Sequence, residues 1–136
     1  QAGNDIVSFD STIGKVGLGI CYDLRFPELF RNMGACSLLV LPAAFTYTTG
    51  QAHWEILLRA RAIENQCYVL ASAQGGTHDS GRRTWGHSML IDPWGKILNC
   101  LEDGEGVVIA DLDMDAMQKI RNNLPALKHR RFACSP

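Results

Sequence analysis

Apolar positions fall in short runs separated by amphipathic or polar stretches along the whole chain. Residues 16–21 (V-G-L-G-I-C), 37–41 (S-L-L-V-L) and 67–73 (C-Y-V-L-A-S-A) have the length and aliphatic content of strands buried on both faces. After the first run, Pro27 suits a first helical turn and Gly34 a helix stop, so a short helix over 27–33 is expected. After the second, Pro42 is expected to end the strand, and the polar stretch 46–50 reads as a loop. The longest helical pattern follows over 51–65, with Trp54, Leu57, Leu58 and Ile63 on its apolar side and Glu55 four residues before Arg59. Strands alternating with helices predict an α/β plan.

The second half of the chain begins with residues 74–84, rich in Gly, Ser and charge, which predict a loop. Residues 87–91 and 96–99 flank the turn Asp92-Pro93-Trp94-Gly95 and predict a β-hairpin. A further strand is expected over 107–112. Asp113 then caps a final helix to about residue 122, which Pro125 prevents from continuing far. No internal repeat, low-complexity segment or linker divides the sequence, so residues 1–136 read as one domain.

Charge narrows the choice of partners. Lys and Arg number 13 against 14 Asp and Glu, and no basic stripe interleaved with aromatics offers a footprint for nucleic acid. Lys128-His129-Arg130-Arg131 reads as a solvated cluster. No apolar run reaches the roughly eighteen residues of a membrane span, and the first residues lack the charged and apolar regions of a secretory signal, so no membrane partner and a cytoplasmic location are expected. The chain starts without Met and leads almost at once into a strand-like segment, as a piece of a longer protein would. The 5 cysteines are odd in number and form no C-x-x-C pair, so reduced thiols, and neither zinc nor any other cofactor, are expected.

Cys21 stands where an apolar run meets the charged, proline-containing turn Tyr22-Asp23-Leu24-Arg25-Phe26-Pro27. A thiol reacts as thiolate and needs a polar, accessible environment. The crevice outside the carboxyl ends of strands in an α/β sheet provides one, and the backbone N–H of Tyr22 could face a developing oxyanion there. The competing reading is a small buried hydrophobe, the role of most free cysteines. The other four, Cys36, Cys67, Cys100 and Cys134, lie in or beside apolar stretches or in the tail and read as structural.

Three stretches carry a resemblance: G-K-V-G-L-G-I-C-Y-D-L-R-F-P-E-L, then L-P-A-A-F-T-Y-T-T-G-Q-A-H-W-E-I-L-L-R-A-R-A-I-E-N-Q-C-Y-V-L-A-S-A-Q, then W-G-H-S-M-L-I-D-P-W-G-K-I-L. In this order they resemble the C-terminal half of carbon-nitrogen hydrolases of the nitrilase superfamily. Within it A-I-E-N-Q-C-Y-V with A-Q-G-G-T-H is most similar to the deaminated glutathione amidases, with the ω-amidases second. The resemblance implies part of a four-layer αββα sandwich. It implies a nucleophilic Cys21 that attacks an amide carbon and forms a thioester, releasing ammonia before water hydrolyses the acyl-enzyme, with the Tyr22 amide in the oxyanion site. It places Arg25, Phe45, Thr46 and Thr48 beside the substrate, and an arginine there suits a carboxylate. His53 is not a base on this reading, because the family uses a glutamate as base and a lysine for the oxyanion.

That glutamate and lysine lie upstream of the cysteine in relatives. Here no Glu precedes Cys21, and Lys15, the sole upstream lysine, is six strand residues or roughly 20 Å away. Glu55 and Glu64 match helix-positioning parts of the pattern. Two classes of function follow. One is an amidase for a small carboxamide such as deaminated glutathione, or for a dicarboxylic monoamide, in which this chain alone is inactive. The other is a non-catalytic fragment or pseudoenzyme half. Either is expected to cover its open face by homo-oligomerisation or by association with the missing N-terminal half.

Overall fold

Large aliphatic side chains stand at successive positions of the central strands, and in a strand these point to opposite faces. A sheet built from such strands has two cores to fill. The computed structural model describes residues 3–132. Eight strands, β1 (Val7–Ser11), β2 (Gly14–Leu18), β3 (Leu38–Ala43), β4 (Tyr68–Ala73), β5 (Gly75–Thr77), β6 (Arg83–Trp85), β7 (Ser88–Ile91) and β8 (Ile97–Leu101), combine with helices α1 (Pro27–Asn32), α2 (Tyr47–Thr49), α3 (Glu55–Asn65) and α4 (Met114–Asn123). Six strands form one sheet in the order β1-β2-β3-β4-β7-β8, and β5 pairs with β6 apart from it. The β2, β3 and β4 strands run parallel, and the other neighbours are antiparallel.

One face is filled by Leu39, Leu41, Val69, Ala71, Met89 and Ile91 packed on Phe30 of α1 and on Trp54, Leu58 and Ala62. Each of these side chains is at most 1% exposed. The alternate residues Leu38, Tyr68 and Leu90 face the other way and meet Met117 of α4, but Leu18, Val40 and Leu70 beside them are only partly buried. The sheet is thus sealed by helices on one side and thinly covered on the other. Tyr68 ties the cover down: its hydroxyl donates to Asp113 O at 3.0 Å and accepts from Asp113 N at 2.9 Å. Asp113 in turn caps α4 by accepting from Ala116 N at 2.8 Å, as its side chain and place predict.

Several expectations are corrected. The run 16–21 is not a strand to its end: β2 stops at Leu18 and Cys21 opens a 3-10 turn, Cys21–Arg25. Pro42 lies inside β3 rather than ending it. Val40 O accepts from Gly19 N at 3.0 Å, so position 42, of the same parity, faces past the end of β2, where no ladder bond is lost. The stretch 46–50 is already helical from Tyr47, and a π-helical turn, Gly50–Trp54, joins α2 to α3. The loop 74–84 contains the β5–β6 pair. Residues 107–112 alternate in burial, with Val107 and Ile109 79% and 74% exposed and Val108, Ala110 and Leu112 packed inward, yet they form no strand. Their alternation reports one-sided packing, and a side-chain bond from Asn99 Nδ2 to Ile109 O at 2.8 Å holds the segment. Cys134 lies outside the described residues.

Candidate active site

The site begins where β2 ends. Gly19 leaves little room for a side chain, since a Cβ there would press on Leu41 and Phe30 at 2.9–3.1 Å. Asp23 Oδ2 then accepts from Ile20 N at 2.8 Å, while Asp23 N donates to Ile20 O at 3.0 Å, and this reciprocal pair closes the turn over Cys21. Cys21 adopts φ 49°, a left-handed conformation that non-glycine residues seldom take and that concentrates at functional sites. The bond from Asp23 N is the first of the turn, so Tyr22 N–H stands ahead of it, where helical donors lack an intrahelical acceptor.

Cys21 is half-buried and lies outside the carboxyl ends of β2, β3 and β4. It borders a cleft of about 260 Å³ with Arg25, Phe45 and Thr46 among its walls. The Arg25 guanidinium sits 5.3 Å from the Phe45 ring centre and 5.7 Å from that of Tyr22, and donates to His53 Nδ1 at 3.4 Å. Phe45 is held by the Trp54 ring, 4.9 Å away, and Trp54 Nε1 donates to His87 O at 2.8 Å. The Thr46 and Thr49 hydroxyls are 2.7 Å apart. The resemblance implied Arg25, Phe45 and Thr46 beside Cys21 and Tyr22, and these five line one cleft. Thr48 is exposed and outside the lining, which takes Thr49, Ala44 and Arg82 instead. Arg82 was missed because nothing in a Gly- and Ser-rich stretch signals that it folds back as a hairpin.

Burial pushes the Cys36, Cys67 and Cys100 thiols up, with Lys15 and Arg121 opposing it in part at Cys36. They remain protonated near neutrality, so none supplies a thiolate. Lys15 donates to Met33 O at 3.4 Å, away from the cleft. Among the described residues no Asp, Glu or Lys lines the Cys21 cleft, and no cluster of three or more His, Cys, Asp or Glu is placed to hold a metal ion. No helix among them is long and apolar enough to cross a membrane.

A thiol on a left-handed elbow at the carboxyl ends of three parallel strands, beside an arginine and an amide outside the turn's own hydrogen bonds, has a geometry compatible with acyl transfer. The carbon-nitrogen hydrolase family model matches residues 1–122, and the chain belongs to that family. A deaminated glutathione amidase from Dictyostelium discoideum is 52% identical over 97% of this chain and 46% of its own length. The C. elegans NitFhit protein superposes with a TM-score of 0.90 at 48% identity, covering 96% of this chain and 32% of that one. An amidase from Nesterenkonia sp. AN1, whose structure shows covalent addition of the acetamide moiety of fluoroacetamide at the active-site cysteine, superposes with a TM-score of 0.78 at 26% identity over 96% of this chain and 46% of that one. The chain spans about half the length of the curated relatives it matches. Its α/β fold is that of the nitrilase superfamily.

Proposed function

We propose that this chain carries the nucleophile of an amidase that hydrolyses a small anionic carboxamide, deaminated glutathione foremost, through a thioester on Cys21. The observation that carries this reading is the half-buried Cys21 at φ 49° on the wall of a cleft shared with Arg25. Sγ attacks the amide carbon, and the Tyr22 N–H donates a hydrogen bond to the developing oxyanion. The C–N bond breaks, the nitrogen takes the proton that the thiol gave up, and it leaves as ammonia or, from a substituted amide, as the amine. Water then hydrolyses the thioester to a carboxylate and restores the thiol. Arg25 pairs with a substrate carboxylate, and Phe45 and Thr46 form the walls.

The described cleft supplies no base and no lysine for the oxyanion. The family resemblance implies a glutamate and a lysine for these tasks, and losing one oxyanion donor alone slows such reactions about 10²–10³-fold. We therefore expect the 136 residues by themselves to be inactive and activity to need a polypeptide that supplies those two groups. The half-covered Leu18, Val40 and Leu70 support a further layer over that face, from the same polypeptide or a second copy. The cytoplasm is the compartment we propose, since it keeps the nucleophile reduced. The test is release of ammonia from primary amides, and of amine from deaminated glutathione, by the full-length protein. Cys21→Ser should lower turnover by at least about a thousandfold, and equal turnover in the serine variant would end this reading.

A further inference from the structure

The loop joining β5 to β6 is pinned to the cleft wall. Trp85 N donates to Phe45 O at 3.0 Å, Thr46 and Thr84 form a β-bridge, and Gln74 N donates to Ala43 O at 2.9 Å. Within the loop His78 N donates to Arg82 O at 2.9 Å, Gly81 N donates to His78 O at 2.8 Å, and His78 Nε2 lies 2.7 Å from Thr84 Oγ1. Two consecutive arginines leave this frame in different ways. Arg83 lies over the Tyr47 ring, 3.9 Å from its centre. Arg82 reaches the Cys21 cleft, with a long 3.4 Å bond to Ala44 O. Arg82 also lines a second, polar cleft of about 220 Å³ with Gln74, His78, Ser80 and Thr84. Ala44 and Arg82 belong to both clefts, so the two adjoin. Asp79 stands in the same loop but lines neither.

We propose that Arg82 and this polar cleft form a second anionic subsite, which selects amides carrying a carboxylate in each of the two parts that the scissile bond joins. The inference rests on the amidase reading, and it names the substrate class for that site. Arg25, on the turn after Cys21, takes the carboxylate of one part. Arg82, in the β5–β6 loop on the same cleft, takes the carboxylate of the other. A guanidinium fork holds a carboxylate by two parallel bonds, which gives it orientation as well as charge. Small dicarboxylic monoamides have one carboxylate left and leave this subsite empty.

The test uses the full-length protein and two matched probes, deaminated glutathione and the same molecule with its glycine carboxylate blocked as a methylamide. Binding is measured by titration calorimetry in the Cys21→Ala protein, where no thioester forms. The free acid should bind about tenfold to a hundredfold more tightly than the methylamide. Adding Arg82→Gln should abolish that preference, whereas adding Arg83→Gln should keep it. A preference that survives Arg82→Gln, or no preference at all, overturns the subsite. Hydrolysis by the unmutated protein is scored separately. Binding preference without turnover would sink the amidase reading and leave the subsite standing, and turnover without preference would do the reverse.

Discussion

Arg61 donates through Nη2 to the carbonyl oxygen of Leu24 at 2.6 Å, so α3 grips from below the turn that carries Cys21 and Arg25. The arginine is 5% exposed, its guanidinium lies 5.6 Å from the Phe30 ring centre, and Nη1 donates to Glu64 Oε1 at 3.0 Å. A charge buried this far is held because carbonyl and carboxylate take its two terminal nitrogens, while the buried Nε has no partner.

Replacing it breaks both bonds at once. Arg61→Met should lower stability by about 2–4 kcal/mol, seen as a lower urea midpoint, because Leu24 O and Glu64 lose their donor. A loss below about 0.5 kcal/mol would contradict the clamp. The effect on the site is read separately: the rate of Cys21 alkylation at fixed pH should change in Arg61→Lys and stay the same in Ile56→Ala, which alters the exposed face of the same helix.

Gly50 permits a close approach of helix and hairpin. A Cβ at that position would fall on the Trp85 side chain. Gly50→Ala should therefore destabilise the protein by about 1–3 kcal/mol, the usual range for overpacking, in thermal or urea unfolding. Because Trp85 stacks on His87 at 4.1 Å between ring centres and ends β6, the same substitution should disturb the Arg82 loop. An unchanged midpoint would show that the contact yields freely.

The thiols give stability a pH dependence of definite sign. Burial pushes Cys36 and Cys67 up from the usual 9.0, and Cys100 with them. The folded chain keeps these protons where the unfolded chain has lost them, so it binds more protons and its stability falls as pH rises. The contribution is intact below pH 9.0 and is lost above it. Tyr68, whose phenol burial also pushes up, adds the same sign from its usual 10.0 upward. The urea midpoint should drop steadily above about pH 9, and Cys67→Ala should flatten the drop. A midpoint that rises over this range would contradict the assignment. Among the described cysteines, Cys21 should alkylate in the native state while Cys36 and Cys67, 1% and 0% exposed, stay protected until unfolding.

What could be read from the residues was whatever local chemistry decides. The strands β3 and β4 follow from aliphatic runs, the β7–β8 hairpin from Asp92 to Gly95, and the last helix from Asp113 as cap. At Cys21 the residues themselves showed the turn and left nucleophile or buried thiol open, and the resemblance implied the nucleophile. What could not be read depends on contacts distant in sequence. Pro42 is tolerated only because β2 ends beside it. The π-turn at Gly50 answers to Trp85, and the place of Arg82 in the cleft is set by bonds from β5 and β6 to residues 43–46. No periodicity over 74–84 encodes those bonds, and the resemblance over residues 46–48 pointed to Thr48 where the lining takes Thr49.

Rapid-quench mass spectrometry of the full-length protein during turnover of an amide substrate reads the thioester itself. The account predicts one acyl adduct, mapped to Cys21 by peptide digestion, that decays as product forms and is missing in Cys21→Ala. Steady hydrolysis with Cys21 never acylated, or with the adduct on Cys100 or another residue, would contradict it.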